Sequence, residues 1–193
     1  MLMSLKPLMQ SRSRIRVLSL LLLGGQERYY VREIERRTGE NINSVRRELA
    51  NLERAGLVNC VPVANLKYYS ISRSSPLYHE LRSMFLKTEG IAGLVREKLA
   101  RHGDLNRAFI FGSFAAGDEK PSSDIDIFLV GNIDEKTVLR NVKEIEDFLG
   151  RQVNYISMSL DEFHNRIKKK DPFVSRILAS PMVSLVEESA ESR

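Results

Sequence analysis

Over residues 110–130 the chain reads IFGSFAAGDEKPSSDIDIFLV, an apolar run, a Gly-Ser pair, a polar loop and a second apolar run interrupted at alternate positions by two aspartates. This pattern limits the fold more than any other in the 193 residues. Side chains along a strand alternate between its faces, and aspartate is poorly suited to a strand interior. "DIDIFLV" therefore predicts a strand that holds Asp124 and Asp126 together on one face while Ile125 and Ile127 turn to the core. "RAFIF" ahead of it predicts a short buried strand. Gly112 permits a tight turn with close backbone approach, and Ser113 opens a short helix whose free amides suit a phosphate.

Two carboxylates fixed side by side repel one another, and a divalent cation resolves the repulsion. Magnesium takes oxygen ligands and is commonly held by one or two carboxylates together with substrate phosphates. Metal ions bridging Asp124, Asp126 and a nucleoside triphosphate would align the alpha phosphate for in-line attack. The reaction class implied is nucleotidyl transfer, with Ser113 and the Gly112 backbone holding the phosphates that leave as pyrophosphate.

Gly112-Ser113, then ten residues, then Asp124-x-Asp126 resembles the signature of the DNA polymerase beta-type nucleotidyltransferase superfamily, in particular its minimal members. The resemblance spans about residues 91–186. It implies Mg2+ or Mn2+ as cofactor and ATP or another nucleoside triphosphate as substrate or ligand. It also implies an acceptor hydroxyl on a protein side chain, an RNA end or a small molecule, and minimal members often partner a separate helical toxin protein. The family pattern has a third carboxylate on a later strand, which completes the metal site and can act as base. Here Asp134 to Leu149 predicts an amphipathic helix on Val138, Val142, Ile145 and Leu149, Gly150 ends it, and "RQVNYISMS" is the next strand. Asn154 stands at the third position. An amide brings no negative charge and accepts no proton as a base. Glu146, Asp147 and Asp161 are the nearby carboxylates, Asp161 within a capping box, Ser159 to Glu162.

The front of the chain has a different character. Residues 1–90 carry 15 Lys+Arg against 8 Asp+Glu, net +7, and residues 91–193 carry 15 against 17, net −2. A basic small domain favours nucleic acid, since neutralising phosphates releases counterions. Helices are expected over Ser13 to Leu23, over Val31 to Thr38 with Val31 and Ile34 inward and Gly39 closing, and from Ile42 until Gly56 stops it. Ile42, Val45, Leu49 and Leu52 form the inward stripe of the third, and Asn43, Ser44, Arg46, Arg47 and Arg54 lie off it. "LVNCVPV" and "LKYYSIS" then read as a hairpin around a tip at Ala64 to Leu66.

Three helices and a hairpin, with "VRRELANLERAGLV" across the third helix and first strand, resemble the winged helix-turn-helix domains (ArsR/MarR-like) of bacterial and archaeal transcription regulators over residues 10–75. The resemblance implies that the third helix enters the major groove of double-stranded DNA. Asn43, Ser44, Arg46 and Arg47 would meet base edges and phosphates, and Lys67 the backbone. It also implies a homodimer on paired half-sites.

Ser74-Ser75-Pro76 predicts the start of a helix to about Lys87, a linker or dimer element, with Leu77, Leu81 and Phe85 four residues apart. A second stripe, Ile91, Leu94, Val95 and Leu99, runs to Arg101, and His102-Gly103-Asp104 marks its exit. After a break at Asp171-Pro172 come a short helix, an edge strand in "PMVSLVEE" and a frayed tail, "SAESR". No apolar run reaches the ~18 residues of a bilayer span, and the single cysteine, Cys60, excludes an internal disulfide. A reducing cytoplasm fits.

The expected fold is therefore α/β (α+β): a winged helix-turn-helix with linker over residues 1–89, then a polymerase beta-like nucleotidyltransferase fold with a mixed sheet over residues 90–193. Two functions remain open. One is a DNA-binding nucleotidyltransferase, the other a transcription regulator whose degenerate transferase domain binds nucleotide without turnover.

Overall fold

The computed structural model describes residues 5–88, 91, 93, 95, 103–120 and 122–186. The chain divides into two compact units, residues 1–90 with 147–150, and residues 91–146 with 151–193.

In the first unit, helices α1 (Lys6–Met9) and α2 (Arg12–Leu23) precede a two-residue strand β1 (Tyr29–Tyr30), α3 (Val31–Thr38) and α4 (Ile42–Arg54). The hairpin β2 (Val58–Val63) and β3 (Leu66–Ile71) and the helix α5 (Tyr78–Lys87) follow. Ser11 caps α2 by accepting the Arg14 amide on its hydroxyl. Ile15, Val17, Leu18 and Leu20 to Leu23 are all buried, because α2 packs on α3, α4 and α5 together. A helix enclosed on several sides reads as an apolar run rather than a stripe.

Helices α3 and α4 begin and end where their sequence signals predict. Gly39 at φ +65° closes α3, the Asn41 side chain accepts the Asn43 amide to start α4, and Gly56 at φ +69° stops it. Val45, Leu49 and Leu52 are buried along α4, with Ile42 half-buried.

β1, β3 and β2 form an antiparallel sheet in that order. The hairpin pairs Val58 with Ile71 through Val63 with Leu66. Across it, Cys60 faces Tyr69. Burial, and then the hydrogen bond to Cys60, push the Tyr69 hydroxyl up to about 12. Three features depart from the sequence expectation, the first being α1, which that expectation did not include. β1 has no counterpart among the expected elements, and Leu77 is 54% exposed because α5 starts one residue later and turns Tyr78, Arg82, Phe85 and Leu86 inward. Ile91 and Val95 are buried helical positions. Leu94, Leu99, Arg101, His102, the boundary at Glu89-Gly90 and the tail lie outside the described residues.

The second unit is built on a mixed sheet ordered β6-β5-β4-β7. Its strands are β4 (Gly103–Phe111), β5 (Ile125–Ile133), β6 (Val153–Met158) and β7 (Val183–Val186). Its helices are α6 (Gly112–Ala116), α7 (Glu135–Leu149), whose last three residues are counted with the first unit, α8 (Leu160–Lys168) and α9 (Pro172–Ala179). β4 is longer than "RAFIF" suggests and takes in Gly103 and Asp104, expected as an exit turn. A register shift between Leu105 and Arg107 breaks the alternation that would have announced it.

β5 and β6 run parallel, with α7 as the crossover that parallel strands require. Val138, Val142, Ile145 and Leu149 form the buried stripe of α7. Asp134 caps it, and hydrogen bonds from the Thr137 amide and hydroxyl hold its carboxyl below the usual range. Phe109, Phe128, Val130, Met158, Phe163, Val174 and Ile177 make one apolar cluster joining the sheet to α8 and α9. Phe109 stacks on Phe128 at 5.0 Å between ring centroids, and Phe163 lies 5.8 Å from Phe128. This layer immobilises β4 and β5, whose adjacent ends carry Gly112 and Asp126.

Candidate nucleotide and metal site

The site forms where β4 ends and β5 begins. The antiparallel register sets Phe111 opposite Asp126, so Gly112, the next residue, lies directly over that carboxylate. Gly112 has φ +73°, and a Cβ built there would stand 2.7 Å from Asp126 Oδ2. Glycine is needed on both counts, for the left-handed backbone and for the space. Ser113 is exposed in the first turn of α6, and its carbonyl accepts the amides of Gly117 and Asp118. Phe114 anchors α6 by burying its ring.

Asp124 and Asp126 are half-buried, flanking the fully buried Ile125. Asp124 precedes the first residue of β5 instead of lying within it. Its position is fixed from behind, since the Ile125 amide donates to the Gln152 carbonyl at 2.9 Å. The parallel register pairs Asp126 with Asn154 of β6. The Asn154 Nδ2 donates to Asp126 Oδ1 at 3.2 Å and lies 3.4 Å from Asp124 Oδ2. The structure thus gathers Gly112, Asp124, Asp126 and Asn154 within hydrogen-bond or van der Waals reach.

The three nearby carboxylates lie elsewhere. Glu146 accepts the Val153 amide at 2.9 Å and so secures the start of β6. Asp147 is exposed near the end of α7, and Asp161 is exposed in the first turn of α8, which Ser159 caps by accepting the Glu162 amide. Among the described residues, no three His, Cys, Asp or Glu side chains gather to hold a metal ion. The two carboxylates nevertheless offer oxygen ligands of the kind magnesium takes, with substrate phosphates completing the shell, while Asn154 turns its amide N–H toward them.

The candidate nucleic-acid residues lie in the first unit. Asn43, Arg46 and Arg47 are exposed on α4, Ser44 is half-buried there, and Lys67 is exposed near the hairpin turn. Sequence reasoning missed Glu48 on the opposite side of α4. It is 2% exposed, accepts from the Ser11 hydroxyl at 2.9 Å and the Arg14 Nε at 2.9 Å, and ties α4 to α2. Burial raises its carboxyl pKa, but the Ser11 and Arg14 hydrogen bonds and the Arg14 charge outweigh burial and hold it below the usual value. A glutamate between two arginines and a leucine gives no sign in the sequence that it is enclosed.

The second unit is a mixed α/β domain in which a strand-turn-helix junction faces a pair of aspartates. Residues 95–175 match the family model described as polymerase beta, nucleotidyltransferase. The chain therefore carries a nucleotidyltransferase-like domain. No curated protein matches it. Among solved structures, a toxin-antitoxin assembly crystallised with AMP-PNP is similar at 17% identity and TM-score 0.37, over 51% of this chain and 72% of that one. A protein from Sulfolobus solfataricus described as a candidate nucleotidyltransferase is similar at 29% identity and TM-score 0.30, over 44% of this chain and 78% of that one. Among the described residues no helix is long and apolar enough to cross a membrane.

Proposed function

We propose that residues 90–193 bind a nucleoside triphosphate with Mg2+ or Mn2+ and transfer its nucleoside monophosphate, from ATP in the first instance, to an acceptor hydroxyl. Residues 1–89 would be a winged helix-turn-helix that binds double-stranded DNA, as a homodimer on paired half-sites. The observation that carries the first reading is the close approach of the Gly112 backbone to Asp126, beside Asp124 and Asn154.

In this reading Asp124 and Asp126 hold the cation, and Ser113 with the Gly112 backbone receives the outer phosphates. The cation supplies charge neutralisation at the phosphates. The acceptor oxygen bonds to the alpha phosphorus as the bond to the bridging oxygen breaks, and pyrophosphate departs. Asn154 takes no proton, so the acceptor's proton passes to another group or to water. RNA ends, small molecules and a protein side chain, such as one on a helical toxin partner, are the acceptors to screen.

A second reading keeps the nucleotide and discards turnover, leaving a DNA-binding sensor. It is favoured by the Asn154 amide, which occupies carboxylate oxygens where a third acidic group would add charge. The DNA reading rests on the net +7 of residues 1–90 and on the exposed Asn43, Arg46 and Arg47 along α4.

The first test is calorimetric titration of Mg-ATP into the wild-type protein and into Asp124→Ala/Asp126→Ala. Magnesium-dependent binding lost in the double variant supports the site. No binding by the folded wild-type protein sinks it. Turnover by the wild-type protein in the acceptor screen would end the sensor reading.

A further inference from the structure

The loop between α6 and β5 joins the two halves of the candidate site, α6 with Ser113 in its first turn before it and Asp124 at its end. Its composition, with a proline and two serines, gives it no apolar anchor of its own. One side chain from elsewhere in the chain supplies one. Arg151, between α7 and β6, is 8% exposed. Its Nη1 donates to the Ser123 carbonyl at 2.7 Å and to the Lys120 carbonyl at 2.9 Å. Its guanidinium carbon lies 5.3 Å from the centroid of the Phe114 ring, which is 1% exposed.

The positions of these partners are what matter. Ser123 directly precedes Asp124, Phe114 directly follows Ser113, and Arg151 itself is three residues before Asn154. Lys120 and Ser123 are also tied to each other, the Ser123 amide donating to the Lys120 carbonyl at 3.0 Å and the Lys120 amide to the Ser123 hydroxyl at 2.9 Å. We propose that Arg151 is a positioning residue: its guanidinium ties Lys120 and Ser123, ahead of Asp124, to α6, setting the spacing between Ser113 and Asp124 that a metal-bound triphosphate requires. The inference rests on the nucleotide-site reading and adds to it a residue that touches neither phosphate nor metal.

Arginine is suited to this and lysine is not. A planar, delocalised cation can lie on an aromatic face while its in-plane N–H groups reach carbonyls, whereas an ammonium offers a compact charge without a stacking plane. The role is therefore one of shape as well as charge.

The test compares Arg151→Met, Arg151→Lys and Phe114→Leu with the wild-type protein, by calorimetry with Mg-ATP and by amide hydrogen exchange over residues 118–124. Variants are compared only after circular dichroism and a cooperative melt show that they are folded. Expected are at least tenfold weaker Mg-ATP binding and faster exchange of the loop amides in Arg151→Met, and little recovery in Arg151→Lys. Phe114→Leu, which keeps the arginine and an apolar side chain in the core, should move both readouts the same way to a smaller extent. A merely structural arginine would lower the melting temperature and leave the affinity of the folded protein unchanged. Wild-type affinity and loop protection in folded Arg151→Met, or full recovery in Arg151→Lys, overturn the proposal. Absence of Mg-ATP binding by the wild-type protein overturns the nucleotide-site reading itself, and with it the role given to Arg151.

Discussion

The side-chain amide of Asn154 lies 3.2 Å from Asp126 Oδ1, as a direct consequence of the β5–β6 register that pairs the two residues. Since the same amide nitrogen is 3.4 Å from Asp124 Oδ2, one neutral group relieves the repulsion of both aspartates without a cation. Asn154→Asp removes that donor and adds a third charge. The expected outcome is a lower melting temperature in chelator, a larger rise on adding Mg2+ or Mn2+ than the wild-type protein shows, and a gain in transferase rate. Equal melting temperatures in chelator for the two proteins would count against this electrostatic account.

Gly112→Ala should damage the site with little effect elsewhere. The substitution places a β-carbon 2.7 Å from Asp126 Oδ2 at φ +73°, so either the carboxylate or the turn must move. Strain of this kind costs about 1–3 kcal/mol, and it falls on a metal-ligand candidate. Calorimetry should show Mg-ATP binding weakened roughly tenfold or more, which corresponds to ~1.4 kcal/mol. Unchanged affinity in a folded variant would count against the close approach of Gly112 to Asp126 as part of the site.

Glu48 predicts an acid-sensitive first unit. Its carboxyl titrates below the ordinary value in the folded protein, so the unfolded chain binds the proton first as pH falls. The stabilisation is present above the unfolded-state value and is lost as pH drops through the folded one. Glu48→Gln should lower stability at neutral pH, by about 1–3 kcal/mol as expected for a buried hydrogen bond to a charged group. It should also flatten the dependence of the melting temperature on pH in the acid range. A variant with the wild-type slope would assign the acid sensitivity to other carboxylates.

The DNA reading divides its residues by what each would touch. Arg46→Ala and Arg47→Ala remove exposed cations from α4, and Lys67→Ala removes one near the hairpin turn. If the Lys67 ammonium neutralises one phosphate, Lys67→Ala should reduce the slope of log affinity against log salt by about 0.9 and weaken all duplexes alike. Removing a side chain of α4 that reads a base edge should cost about 1–3 kcal/mol on the preferred duplex only. Fluorescence anisotropy across a salt series checks both, and salt-independent or absent binding by the wild-type protein would leave the arginines of α4 a solvated face.

What could be read from the sequence alone was local. α3 and α4 end at groups that act over one turn, Gly39 and Gly56 as left-handed stops, whereas the Asn41 cap of α4 is seen only in the structure. The β4–α6–β5 junction is written in a short window, because strand alternation separates Asp126 from Ile125 and Ile127 without reference to any other element. β1 is not legible because two tyrosines form no period, nor is the true length of β4, because a register shift breaks its pattern.

The tertiary structure decided everything that depends on register and enclosure. Asn154 meets the aspartates only because β6 runs parallel to β5 in one particular register, and a shift by one residue would turn its side chain to the other face. Glu48 and Arg151 are charged residues that single-chain patterning assigns to solvent, and both are buried by partners distant in sequence, Ser11 and Arg14 for one, Phe114, Lys120 and Ser123 for the other. Periodicity reports which face of an element is apolar. It carries no information on which polar side chain will find its hydrogen bonds across the fold, because those bonds are set by distances that exist only once the elements have packed.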